Sequence, residues 1–165
     1  MIEYPEVPDF LKPLVFHEGS YPKDQIDAVI ERREEAIPHL LDSIEWMLKN
    51  PLIAIDGDRY TLPFFSLYLL AQFRVIQAET LIVSLCRHPM IDDLLGDIIT
   101  GGMHSILASV CMDNPSAIKS IVEDPKAEEF VRAAAIEALA ILTLNDKLPR
   151  ESLSGSKKGS MDINT

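Results

Sequence analysis

Asp124-Pro125-Lys126-Ala127-Glu128-Glu129-Phe130-Val131-Arg132-Ala133-Ala134-Ala135-Ile136-Glu137-Ala138-Leu139-Ala140-Ile141-Leu142 is the stretch on which the fold turns. Val131, Ala135, Ala138, Leu139 and Leu142 recur at the spacing of one helical face, and the small alanines on that face let a neighbouring helix approach closely. Asp124 is suited to cap the start, so the pattern predicts a helix over 126–144 opened by Asp124-Pro125. Arg132 sits where its guanidinium can reach a carboxylate or carbonyl of a neighbouring repeat.

The same grammar runs upstream. Pro22 suits a first helical position and is followed by Ile26, Val29 and Ile30 at helical spacing. Pro38 restarts the pattern with Leu40, Leu41, Ile44, Met47 and Leu48, which ends near Asn50-Pro51. Asp56-Gly57-Asp58 is a turn, after which Thr61 can cap a helix over 62–74, with a partner helix over 76–87. A short helical turn over 91–95 precedes Gly96-Asp97, which starts a helix running to about residue 112. Asn114-Pro115 opens another through residue 122. No segment alternates with period two, so the chain reads as all-α. The helices come in pairs starting at residues 22, 61, 98 and 126, separated by 39, 37 and 28 positions. An isolated pair of that length cannot hide its apolar face, so serial stacking into an α-α superhelix is expected, with a four-helix bundle as the rival arrangement.

Proline dominates the first twenty residues. Pro5, Pro8 and Pro13 exclude a continuous helix, while Tyr4, Phe10, Leu14 and Phe16 still need burial. Residues 1–20 are therefore expected to form an extended arm lying on the first helices, 21–153 the repeat domain and 154–165 a flexible Gly/Ser/Lys tail.

Composition excludes several function classes. With 15 Lys+Arg against 26 Asp+Glu, the formal net charge is -11, which repels a phosphate backbone. The charge is uneven: residues 1–58 hold thirteen acids against five bases, whereas residues 126–165 hold six of each. The acidic end reads first as a solvated face, and it can also attract a basic protein or peptide. The beginning of the chain lacks the basic and apolar regions of a secretory signal. The most apolar stretch, 62–86, has only Arg74 and Glu79 as charges, and its longest uncharged piece, 61–73, is shorter than the roughly 18–20 residues of a membrane span, so no membrane association is expected. Cys86 and Cys111 make no disulfide framework, and a cytoplasmic location is the expectation.

The 124–139 stretch, with Asp124-Pro125 followed by Val131-Arg132-x-x-Ala135-x-x-Ala138-Leu139, resembles the first helix of a HEAT repeat. Tyr68-Leu69-Leu70-Ala71 followed by Ala78, Leu81, Ile82 and Leu85 resembles it more loosely. Further blocks, Tyr68-Leu69-Leu70-Ala71-Gln72-Phe73-Arg74, Leu95-Gly96-Asp97, Ile106-Leu107-Ala108-Ser109-Val110-Cys111 and Glu129-Phe130-Val131-Arg132, are similar to an uncharacterised bacterial family of unknown function with HEAT-like helical repeats. That resemblance covers about residues 20–150. It implies a right-handed HEAT/ARM-like superhelix of about four helix pairs and brings no established reaction. Members often carry a C-terminal SEC-C zinc motif, whose Cys/His cluster this sequence lacks. A further helix is expected after Leu148-Pro149-Arg150-Glu151-Ser152-Leu153, where the chain instead turns to glycine, serine and lysine. An uncapped C-terminal face would favour a homodimer.

Candidate chemistry is sparse. Cys86-Arg87-His88, His104 and Cys111 lack the spacing of a zinc site, Asp56-Gly57-Asp58 lacks the rest of a calcium loop, and no metal or cofactor is expected. Gly101-Gly102 inside a helical pattern marks close packing or a kink. One polar stripe can carry chemistry. Asp97, Thr100 and His104 at i, i+3 and i+7, with Asp92 and Asp93 just before, could form a carboxylate–imidazole site for proton transfer or a ligand. The simpler alternative has Asp97 capping its helix and Thr100 bonding back to the backbone. The expected function is a non-catalytic interaction module, with second helices lining a groove through His39, Asp42 and Glu45, then Gln77, Ile82 and Ser84, then Lys119 and Glu123. The alternative is a small enzyme or ligand-binding protein using the Asp97 stripe.

Overall fold

Residues 2–145 are described by the structure, a computed structural model. Helices form wherever apolar residues recur at helical spacing: α1 (Lys23–Glu31), α2 (Arg33–Lys49), α3 (Pro51–Asp56), α4 (Leu62–Gln72), α5 (Glu79–Cys86), α6 (Ile91–Leu95), α7 (Ile98–Gly101), α8 (Met103–Val110), α9 (Pro115–Val122) and α10 (Glu129–Leu144). Short 3-10 helices span Asp9–Leu14 and Ile76–Ala78. Among the described residues there is no strand, and no helix is long and apolar enough to cross a membrane.

Packing follows chain order. α2 lies on α4, α4 on α8 and α8 on α10, while α5 packs beside α2, α8 and α9, and α9 packs on α10. The protein is an all-α helical solenoid. α4 lies in the middle of the stack and buries Leu62, Pro63, Leu67, Leu69, Leu70 and Ala71, while Tyr68 and Gln72 remain exposed on one side. The two serines in this core face one another. Ser43 Oγ donates to Leu40 O at 2.7 Å and lies 2.8 Å from Ser66 Oγ. Its one proton is committed to the carbonyl, so Ser66 is the donor between them, and neither hydroxyl is orphaned where α2 and α4 meet.

α10 carries the expected face: Val131, Ala135, Ala138 and Leu139 have no exposed surface. Arg132 Nε donates to Val122 O at 3.1 Å, tying α10 to the end of α9. The cap differs from the expectation. α10 begins at Glu129, and Glu128 caps it by accepting from the N–H groups of Phe130 and Val131 at 3.0 and 3.1 Å. Asp124 is engaged elsewhere, accepting from Lys126 N–H at 2.9 Å and pairing with Arg87 Nε at 2.9 Å. A turn therefore occupies 124–127, closed by Ala127 N–H to Asp124 O at 3.1 Å.

Three further boundaries depart from the sequence reading, each because of a tertiary partner or a local break. The second helix starts at Arg33 after Arg32 leaves helical angles, and Pro38 lies inside it. The helix expected from Asp97 to about residue 112 is two helices, broken at Gly102. A Cβ on Gly102 would stand 2.6 Å from Tyr68 Oη, so the glycine both interrupts the helix and admits the tyrosine. Thr61 precedes α4 but does not cap it. Its Oγ1 donates to Leu14 O at 2.7 Å and accepts from His17 N–H at 2.8 Å.

Those bonds, with Thr61 N–H to Val15 O at 2.8 Å, fasten the N-terminal segment to the start of α4. The segment is not extended throughout, since Asp9–Leu14 forms a 3-10 helix that tolerates Pro13. Leu11 and Leu14 are fully buried, and each such burial contributes about 1.5–3 kcal/mol. The expected helix after Leu148, the tail over 154–165 and the uncapped C-terminal face lie outside the described residues.

Candidate functional site

Two features on the N-terminal half join aromatic surface to negative charge. The first is a groove of about 430 Å³ between α1 and α4, lined by Tyr21, Ile26, Phe64, Phe65, Tyr68, Leu69 and Gln72. Tyr21 and Tyr68 are 68% and 46% exposed, so large apolar rings stand in water at its rim. Elsewhere on α1 the carboxylates of Asp24 and Asp27 are exposed, the latter paired with Lys23 at 2.8 Å; neither lines the groove. His17 stands edge-on to Phe65 with ring centres 5.7 Å apart, and its Nε2 lies 2.8 Å from Ser20 O.

The second is an aromatic box. Tyr4 packs against Phe16, Trp46 and Tyr60 with ring centres 5.1, 4.8 and 4.8 Å away, and Trp46 meets Tyr60 at 5.1 Å and 79°. Burial pushes both phenols above their ordinary pKa, and neighbouring carboxylates push further: Asp58 on Tyr4, Asp42 on Tyr60. Both hydroxyl oxygens are buried without a hydrogen-bond partner.

The sequence-predicted residues are scattered by comparison. Asp42 and Glu45 are exposed on α2, where Glu45 lies 3.5 Å from Lys49, and His39 is half-buried. Of the residues expected to extend that groove, Ile82 is fully buried in the core and lines nothing. Asp92 and Asp93 are exposed on α6. Asp97 and Thr100 belong to the exposed start of α7, and the break at Gly102 interrupts the register that would continue their stripe to His104 on α8. Asp97 makes no side-chain cap, while Thr100 Oγ1 lies 3.4 Å from Asp97 O. His104 turns toward α10, where its buried Nδ1 lies 3.7 Å from Glu137 Oε2 without a hydrogen bond. Among the described residues no cluster of three or more His, Cys, Asp or Glu side chains is arranged to hold a metal ion.

The groove expected from the sequence lies on the second helix of each pair, whereas α4 is the first helix of its pair. Phe64, Phe65 and Tyr68, at i, i+1 and i+4, are an aromatic stripe on one side of that helix and were the available signal.

A family model described as "Protein of unknown function (DUF1186)" matches residues 5–154. The chain belongs to the DUF1186 family. Among relatives of this DUF1186 chain, an uncharacterized protein of Chlamydia trachomatis serovar D is 35% identical over 149 residues, covering 89% of this chain and 59% of the relative. An uncharacterized protein of Chlamydia muridarum is 35% identical over 147 residues, covering 88% and 59%. The chain thus spans about three fifths of the length of these relatives. No solved structure matches it. The match takes in the groove, the helical stack and the Phe16, Trp46 and Tyr60 walls of the box, and begins one residue after Tyr4.

The two cysteines lie apart from both features. Burial pushes the Cys111 thiol up to about 12 and raises that of Cys86 as well, so both are protonated at neutral pH and shielded. Alkylation by iodoacetamide is expected to be at least about a hundredfold slower in the native protein than in denaturant. Rapid native labelling, followed by mass spectrometry, would show that these helices open.

Proposed function

We propose that this chain is a non-catalytic docking module of HEAT-like repeats, whose acidic N-terminal half receives a basic amphipathic helix of a protein partner. The observation that carries the reading is the exposed aromatic groove of Tyr21, Phe64, Phe65 and Tyr68 on the N-terminal half, where residues 1–82 hold fourteen acids against seven bases. Solvent-exposed rings of this size are a cost for a free protein and a source of binding energy for a partner's apolar face. Carboxylates along the same half, including Asp24, Asp27, Asp42 and Glu45, favour lysine and arginine on the partner's flanks. Two buried free thiols fit a reducing, cytoplasmic setting.

A fluorescent amphipathic peptide bearing lysine on its polar face, and a counterpart bearing glutamate, test this reading. The lysine peptide is expected to bind with a clear salt dependence and the glutamate peptide not to bind. Tyr68→Ala is expected to weaken binding about tenfold, equivalent to about 1.4 kcal/mol, by removing one wall of the groove. The Asp42→Lys and Glu45→Lys pair is expected to slow association and flatten the salt dependence. Equal binding of the two peptides, or indifference to Tyr68→Ala, contradicts the proposal.

A further inference from the structure

The geometry points to a second, separate receptor: the Phe16, Trp46 and Tyr60 box is a recognition site for an extended aromatic-proline segment of a partner, held shut by the chain's own Tyr4-Pro5. The occupant defines the chemistry. Residues 2–8 form no helix, and Pro8 has φ -66° and ψ 162°, the polyproline II region. The ring of Tyr4 fills the box, and Trp46 Nε1 donates to the preceding carbonyl, Glu3 O, at 2.9 Å. A ring in an aromatic pocket, with an indole N–H on the main chain beside it, is how aromatic-lined sites hold stiff proline-containing peptides at low entropic cost.

The walls are tied down by hydrogen bonds, whereas the occupant is held chiefly by ring packing. Phe16 stands between Val15, whose carbonyl accepts from Thr61 N–H at 2.8 Å, and His17, whose N–H donates to Thr61 Oγ1 at 2.8 Å, and Trp46 and Tyr60 stand on or beside α2 and α4. Among the described residues, the bond from Trp46 to Glu3 O is the one hydrogen bond that residues 2–7 make. Closing the box also leaves Tyr4 Oη and Tyr60 Oη buried and unpaired, which works against the closed state. The occupant is mismatched in charge too: Glu3 and Glu6 flank Tyr4, while Asp42 and Asp58 act on the tyrosines of the box. A partner segment of the same aromatic-proline form with basic flanks is therefore favoured over the chain's own. That flank preference rests on the acidic docking role proposed above; the box itself does not.

The test uses labelled peptides and the full chain. One peptide carries the sequence of residues 2–8, a second has lysine at both glutamate positions, and a third has alanine in place of tyrosine. Trp46 is the chain's one tryptophan, so its emission reports the box directly. Tyr4→Ala is expected to shift Trp46 emission to the red with an unchanged far-ultraviolet circular dichroism spectrum. It should bind the first peptide at least about tenfold more tightly than wild type, because the tethered competitor has been removed. Tyr4→Phe keeps the ring and deletes an unpaired hydroxyl, so it is expected to bind no better than wild type. The alanine peptide should not bind. Loss of helical signal in Tyr4→Ala, equal peptide affinity in wild type and Tyr4→Ala, or binding by Tyr4→Phe as tight as by Tyr4→Ala overturns the inference. If the first two peptides bind Tyr4→Ala equally, the basic flank and the acidic docking role fail while the box stands.

Discussion

Leu70→Ala is expected to lower the free energy of unfolding by about 2–5 kcal/mol, the range for deleting most of a fully buried leucine side chain. Leu70 has no exposed surface and sits on α4, which packs on both α2 and α8. A cavity there is bordered on two sides by neighbouring layers that are themselves held in place, so collapse is limited and the upper half of the range is expected. Urea unfolding followed by circular dichroism measures it. Leu144, 79% exposed on the last turn of α10, supplies the contrast: Leu144→Ala should change stability by less than about 0.5 kcal/mol. Equal effects at the two positions would mean that α4 is not central to the stack.

Thr61→Val is the second large effect. The substitution keeps the shape and removes a buried hydroxyl that donates to Leu14 O and accepts from His17 N–H. Both main-chain groups lose a partner, and the expected destabilisation is about 1–3 kcal/mol. The consequence is local as well as energetic. Thr61 fastens residues 14–17, which carry Phe16 and His17, so the variant should loosen the box and shift Trp46 emission to the red. Thr61→Ser retains the hydroxyl and is expected to restore the wild-type spectrum. A Thr61→Val protein with native stability and unchanged emission would show that the N-terminal segment is held by other means.

The sequence made the helical stack legible because its signals are local. Val131, Ala135, Ala138 and Leu139 lie on one face by spacing alone, and the uncharged apolar run 61–73 requires α4 to pack against the core on several sides. What stayed hidden depends on partners far along the chain. Asp124 reads as a cap until Arg87 takes its carboxylate from 37 residues upstream, leaving the cap to Glu128. The break at Gly102 depends on Tyr68, a residue of a different helix. Thr61 reads as a cap until Leu14 and His17 fold back across more than forty residues. The candidate site was harder still, since an aromatic ring at a rim and one in a core look alike in a sequence. The Asp97, Thr100 and His104 stripe had the converse problem: its spacing presumed one continuous helix, and the chain supplies two.

Amide chemical-shift mapping of the isotope-labelled protein, titrated with the lysine-bearing amphipathic peptide, tests the docking surface most directly. The account predicts shifts concentrated at Tyr21, Ile26, Phe64, Phe65, Tyr68 and Gln72, with α9 and α10 unaffected. Shifts centred on α10, or none while the protein remains folded, would contradict it.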